Sequence, residues 1–78
     1  MKLPARNPLN ANKLLHSKWT AAAPLDKEKH FIVIKVVEPE SPDAPVTHVQ
    51  LQAVHTQRVQ ILPWRALRDA SVWRQGWV

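Results

Sequence analysis

Seventy-eight residues allow one small domain and no second core, so residues 1–78 are read as a single unit, with a loosely ordered arm over residues 1–9. Eleven Lys plus Arg against six Asp plus Glu give a formal charge of +5, and the absence of cysteine excludes a disulfide framework and a thiolate zinc site. "MKLPARNPLN" is basic but no apolar stretch follows it, and no segment approaches the length that spans a bilayer, so a soluble cytoplasmic protein is expected.

In chain order, Asn10 is a suitable N-cap for a short helical turn over residues 11–15, with Leu14 and Leu15 covering one edge of the core. "KWTAA" reads as a short strand ended by Pro24 and the charged loop "LDKEK". "HFIVIKVV" is the strongest strand signal, β-branched and aromatic. Phe31, Val33 and Val37 fall on one face and Ile32, Ile34 and Val36 on the other, the pattern of a central strand buried on both sides. "EPESPDAP" combines three prolines with three acids and must be a solvated loop.

"VTHVQLQAVHT" alternates, with Val49, Leu51 and Ala53 on an apolar face and His48, Gln50 and Gln52 on a polar one. Its partner "VQIL" is expected to turn Val59 and Ile61 to the same apolar face, which requires an odd-length loop around Thr56, Gln57 and Arg58. No glycine is present there to take a left-handed position, so local strain or a bulge is expected. Pro63 opens a 3₁₀ or α turn with Trp64 and Leu67 on one side and Arg65 and Arg68 on another. Asp69 then reads as the cap of a second short helix over residues 70–75, ended by Gly76 in a left-handed conformation, with Trp73 and Trp77 four residues apart on one face.

Segment 62–77 holds three of the four tryptophans and three of the five arginines, and the two residue types are segregated along it. A buried tryptophan removes roughly 200 Å² from water, while a small domain has a net stability of only about 5 kcal/mol, so the indoles belong in the core. Trp19, Phe31, Trp64, Leu67, Trp73 and Trp77 are the expected core.

The fold class is mainly β or α+β: a small antiparallel sheet of three to four strands with short N- and C-terminal helical turns. A curled SH3-like barrel is the leading form and a flat two-layer α+β sandwich the alternative.

"NPLNANKLLHSKWTA", "KHFIV", "LPWRAL" and "WRQGW", in this order and at these distances, resemble the small bacterial tryptophan-rich family whose members are conserved proteins of unknown function. The resemblance runs over nearly the whole chain. It implies a self-standing protein rather than a fragment of an enzyme, and it brings no activity to transfer.

His16, His30, His48 and His55 have no H-x-x-x-H spacing, and Ser17, Ser41 and Ser71 lie on no glycine-flanked elbow, so no metal, cofactor or catalytic residue is expected. Both ends of the chain are basic and the middle is mildly acidic. If the ends meet, Arg58, Arg65, Arg68, Arg74, Lys13 and Lys18 form a phosphate-binding rim, with His48, Gln50 and Gln52 beside it. The functions that follow are a non-enzymatic nucleic-acid or ribonucleoprotein accessory module, a protein-interaction module with aromatic and arginine hot spots, or a small homo-oligomer whose central apolar strand extends a sheet across a two-fold axis.

Overall fold

The computed structural model describes residues 7–78. Five strands, β1 (Lys18–Leu25), β2 (Glu28–Val36), β3 (His48–Ala53), β4 (Val59–Pro63) and β5 (Trp73–Gln75), form one antiparallel sheet in the order β4-β3-β2-β1-β5. Two 3₁₀ turns accompany it, Ala11–Lys13 and Trp64–Arg68. The mainly β class is therefore correct. The barrel is not: β4 and β5 are separate edges and the sheet stays open.

Local chemistry accounts for most of the boundaries. Asn10 caps the first turn by accepting from the Asn12 N–H at 3.0 Å, and the turn closes after Lys13 rather than at residue 15. Leu14 is then fully buried while Leu15 is exposed. β1 runs through Pro24, past the expected stop. Its register against β2 shifts between Thr20 and Leu25, the kind of irregularity at which a strand accommodates proline. In place of a loop, Asp26 and Lys27 both adopt positive φ, 54° and 65°, the two-residue hairpin turn whose twist matches its strands.

β2 is the central strand, and a bulge sets its faces. Val33 pairs with Leu51, then Lys35 with Gln50 and Val36 with Val49, so Ile34 is an extra residue. The bulge switches parity. Phe31, Val33 and Val36 therefore face the core, and the expected grouping of Val37 with Phe31 and Val36 with Ile32 does not hold. Ile32 and Ile34 are only half-buried on the opposite face, because antiparallel sheets can leave one face in water and the described residues form no second covering layer.

β3 alternates as expected, with Val49, Leu51 and Ala53 buried. β4 has the opposite parity to the expected one: Val59 pairs with Gln52, Gln60 with Leu51, Ile61 with Gln50 and Leu62 with Val49. Residues 54–57 form an even, four-residue connection, and Gln57 supplies the left-handed residue at φ 63°. The requirement comes from downstream. Trp64 must enter the core two residues after Leu62, so Leu62 packs inward and Val59 and Ile61 turn out.

The core lies on one face. Trp19, Phe31, Val33, Val49, Leu51, Ala53 and Trp73 from the strands are covered by Leu14, Trp64 and Leu67, with Leu9, Val46 and Leu62 packed at the margin. Phe31 and Trp73 meet edge to face, centroids 5.1 Å apart at 90°. Trp64 donates its indole N–H to the Val46 carbonyl at 2.9 Å, which ties the second turn to the loop before β3. Most of the expected arm over residues 1–9 lies outside the described residues. From Asn7 the chain is docked, its Nδ2 donating to the Leu67 and Trp73 carbonyls at 2.7 and 2.8 Å.

The second helix does not form. Asp69 accepts from Ser71 N–H and Oγ, the Val72 and Trp73 amides return to the Asp69 carbonyl, and after this single turn the chain enters β5 opposite Ala21. A six-residue helix would carry the full nucleation cost, whereas the strand gains a ladder with β1. Gly76 ends β5 at φ 79°, and Trp73 and Trp77 lie on opposite sides of the sheet. Trp77 therefore leaves the expected core. It is 44% exposed against 9% for Trp64. Trp64→Ala should cost about 3–5 kcal/mol in chemical denaturation and Trp77→Ala about 1 kcal/mol; equal losses would contradict this division of the indoles.

Candidate functional site

The open face is built by the residues that alternate with the core set. From β5 to β4 it carries Arg74, then Thr20 and Lys18, then His30, Ile32, Ile34 and Lys35, then Gln52, Gln50 and His48, and finally Val59 and Ile61. Glu28 is the one carboxylate within the strands, and it is buried and paired with the exposed Arg58, away from this face.

Trp77 lies over the β1–β2 pair. Its N–H donates to the Phe31 carbonyl at 2.9 Å, its ring centre is 6.0 Å from that of His30, and Lys18 Nζ sits 4.8 Å from the ring centre. Thr20 holds the segment down: its hydroxyl donates to the Gly76 carbonyl at 2.7 Å and accepts from the Val78 N–H at 3.1 Å. The left-handed Gly76 redirects the chain here, which explains why four-residue spacing from Trp73 did not locate Trp77.

Basic recesses adjoin this indole. One, of about 540 Å³, includes Lys13, His16, Lys18 and Gln75 over Trp19. A second, of about 410 Å³, includes Thr20, Lys29, Arg74 and Val78. A third, also of about 410 Å³, is lined by Lys27, Lys29, His30, Val54 and His55. No Asp or Glu side chain lines any of the three.

The expected arginine rim is not assembled as one surface. Arg58 is committed to Glu28, with Nε at 3.1 and 3.0 Å from the two carboxylate oxygens and Nη2 at 2.6 Å from Oε1. Arg65 stacks on Trp64 at 5.7 Å, and Arg68 is half-buried beside Leu67 in the same turn. Arg74 lies on the open face with Lys18, and Lys13 lines the recess that Lys18 shares. His48, Gln50 and Gln52 also lie on the open face, on β3 beyond Ile32 and Ile34. Lys29, His16, His30 and Trp77 were missed as site residues. His30 and Trp77 meet after a left-handed glycine, while His16 and Lys29 line separate recesses, and neither that glycine nor the bulged register leaves a periodic trace in the sequence.

Among the described residues no group of three His, Asp or Glu side chains is placed to hold a metal ion, and no helix is long and apolar enough to cross a membrane. An open antiparallel sheet with an indole and lysines on its uncovered face defines a small, tryptophan-rich β protein. The model of the tryptophan-rich protein family DUF2389 matches residues 17–78, so the chain belongs to that family. No curated protein and no solved structure matches it.

The Glu28–Arg58 pair fixes the start of β2 to the end of the β3–β4 connection. Arg58, and after it the Thr56 hydroxyl, hold the Glu28 carboxyl below its ordinary value of 4.5, and Glu28 in turn raises Arg58. The pair's contribution to stability is therefore complete above pH 4.5 and is lost as pH falls through the lowered value. Glu28→Gln should be less stable than the parent at neutral pH, with the difference shrinking in acid. A difference that persists undiminished at the lowest pH where both proteins fold would show that the ionised carboxylate is not responsible.

Proposed function

We propose that the chain is a non-enzymatic binding module, acting in the cytoplasm, whose open sheet face holds single-stranded nucleic acid. A base stacks at Trp77, and Lys13, Lys18, Lys29 and Arg74 contact the flanking phosphates. The observation that carries this reading is the exposed indole beside basic recesses that no Asp or Glu side chain lines. Aromatic platforms flanked by cations suit single strands, because every unpaired base has a π-face to stack and every phosphate a charge to neutralise. A duplex offers the cations the same charge but withholds its bases. Gln50, Gln52 and His48 extend the platform with donors and acceptors for base edges.

Arg58 and Arg65 have no part in this surface, because Glu28 and Trp64 engage their guanidinium groups, and Arg68 is half-buried in the second 3₁₀ turn, outside the strands that form it. An acidic protein partner is the competing occupant. It would meet the cations without needing an exposed base.

Labelled single- and double-stranded DNA and RNA should be titrated at several salt concentrations. Four phosphate contacts on a single strand give a log–log salt slope of about −2.8, so affinity falls roughly 50-fold between about 50 and 200 mM salt. Trp77→Ala should weaken single-strand binding by roughly 5- to 150-fold, the range for loss of one stacked base, with little change for duplex. Lys18→Ala should reduce the slope by about 0.7, and Arg65→Ala should leave affinity and slope unchanged. No binding at the lowest salt, or equal binding by Trp77→Ala and the parent, would direct the search to an acidic protein.

A further inference from the structure

The two edges of the sheet are treated differently. β5 is three residues long and its outer side is occupied by the incoming chain: Asn7 Nδ2 donates to the Trp73 carbonyl and Gln75 Nε2 to the Pro8 carbonyl. β4 is five residues long, pairs among the described residues only with β3, and reads "VQILP", with no charged residue. Natural sheets usually blunt a free edge with charge, proline or a covering segment. Here proline alone does so, at the last position.

The ladder shows which backbone groups are free. Ala53 N–H donates to the Arg58 carbonyl at 2.9 Å and Trp64 N–H to the Thr47 carbonyl at 3.1 Å. Antiparallel pairs alternate between hydrogen-bonded and not, so Leu51 with Gln60 and Val49 with Leu62 are the intervening bonded pairs. Val59, Ile61 and Pro63 turn their backbone groups away from β3, and of these Val59 and Ile61 present both an N–H and a C=O. Their side chains lie on the open face, where Ile61 is 63% exposed.

We propose that β4 pairs antiparallel with β4 of a second copy about a two-fold axis at Gln60, making one continuous ten-stranded sheet. An isologous interface must be self-complementary, and this segment is. With Gln60 on the axis, Val59 lies opposite Ile61 of the second copy in both halves. Each such pair exchanges two backbone hydrogen bonds, which satisfies both donors of each edge. Val59 and Ile61 of the two copies form an apolar row on the open face, and the two Gln60 amides meet on the other. Pro63 has no N–H to offer, so pairing stops there. Both chains are basic, but the edge is uncharged and β4 lies two strands from β2 and three from Lys18 on β1. Physiological salt screens such distances, so this association does not weaken as salt rises. Nucleic-acid binding does, so the two proposals fail independently.

Sedimentation equilibrium of the full chain over a wide concentration range should show a monomer–dimer equilibrium that added salt does not weaken. Ile61→Lys places two lysines at each interface and should weaken the dimer by about tenfold or more, while the exposure of Ile61 leaves the denaturation midpoint of the monomer near that of the parent. The chain has no cysteine, so Gln60→Cys is a clean reporter of the axis. The Cα atoms of a non-hydrogen-bonded pair lie about 4.5 Å apart, within the separation that a disulfide spans. Gln60→Cys should oxidise to a covalent dimer far faster than Ser41→Cys in the exposed loop after β2. A monomer at every concentration overturns the proposal. So does a dimer indifferent to Ile61→Lys, or one in which Gln60→Cys crosslinks no faster than Ser41→Cys.

Discussion

The structure depends on a shortage of covering material. The apolar groups outside the strands that join the core, Leu9, Leu14, Val46, Trp64 and Leu67, pack over the face that holds Trp19, Phe31, Val33, Leu51 and Trp73. A five-stranded sheet has two faces, and the described residues outside the strands supply a layer for one. The second face is therefore wet, and its composition is free to serve a ligand. Half-buried Ile32 and Ile34 lie there beside lysine, glutamine and histidine, the mixture expected of a surface that contacts something intermittently.

Anchoring on the covered side is polar as well as apolar. Asn7 bridges the second 3₁₀ turn and β5, the Trp64 N–H reaches the Val46 carbonyl, and Glu28 gathers Thr56 and Arg58. Each links segments far apart in sequence, which is how a small domain without disulfides limits the freedom of its connections. The open side has one comparable device. Gly76, Thr20 and the Phe31 carbonyl together place Trp77 over β1 and β2, and the ring held there is the one indole of the four with substantial exposure. Its fixed position means that a base stacking on it orders little more of the protein, an advantage in binding entropy.

What the sequence disclosed followed from strict local periodicity. β3 was legible because six residues alternate without interruption, β2 because its β-branched run fits no other element, and the first turn because Asn10 stands where a cap must. What it concealed were single-residue changes of parity. Ile34 adds one residue to β2, the 54–57 connection is even where odd was expected, and Gly76 reverses the side on which the next indole falls. Each moves every following side chain to the other face. The expected arginine rim grouped its members by proximity in sequence, and it does not assemble: Arg58 pairs with Glu28, Arg65 lies against Trp64, and Arg74 stands on the open face opposite Thr20. Charge count says that cations are in excess, without saying where they gather. Only register says which of them share a face.

The open face and the free edge belong to different ends of the same sheet, and this separation lets both be used at once. Trp77 lies over β1 and β2, whereas pairing through β4 leaves those strands untouched. Strands stand about 4.8 Å apart, so five to seven spacings separate the two indoles of a paired sheet, roughly 24–34 Å before twist. Both indoles would then lie on one continuous face with the apolar row of Val59 and Ile61 between them. A single strand long enough to reach from one indole to the other would bind its second site at the high effective concentration set by that spacing. Shorter strands would gain nothing from pairing. The length at which affinity rises thus reports the distance between indoles, and connects the edge chemistry of β4 to the function of a face three strands away.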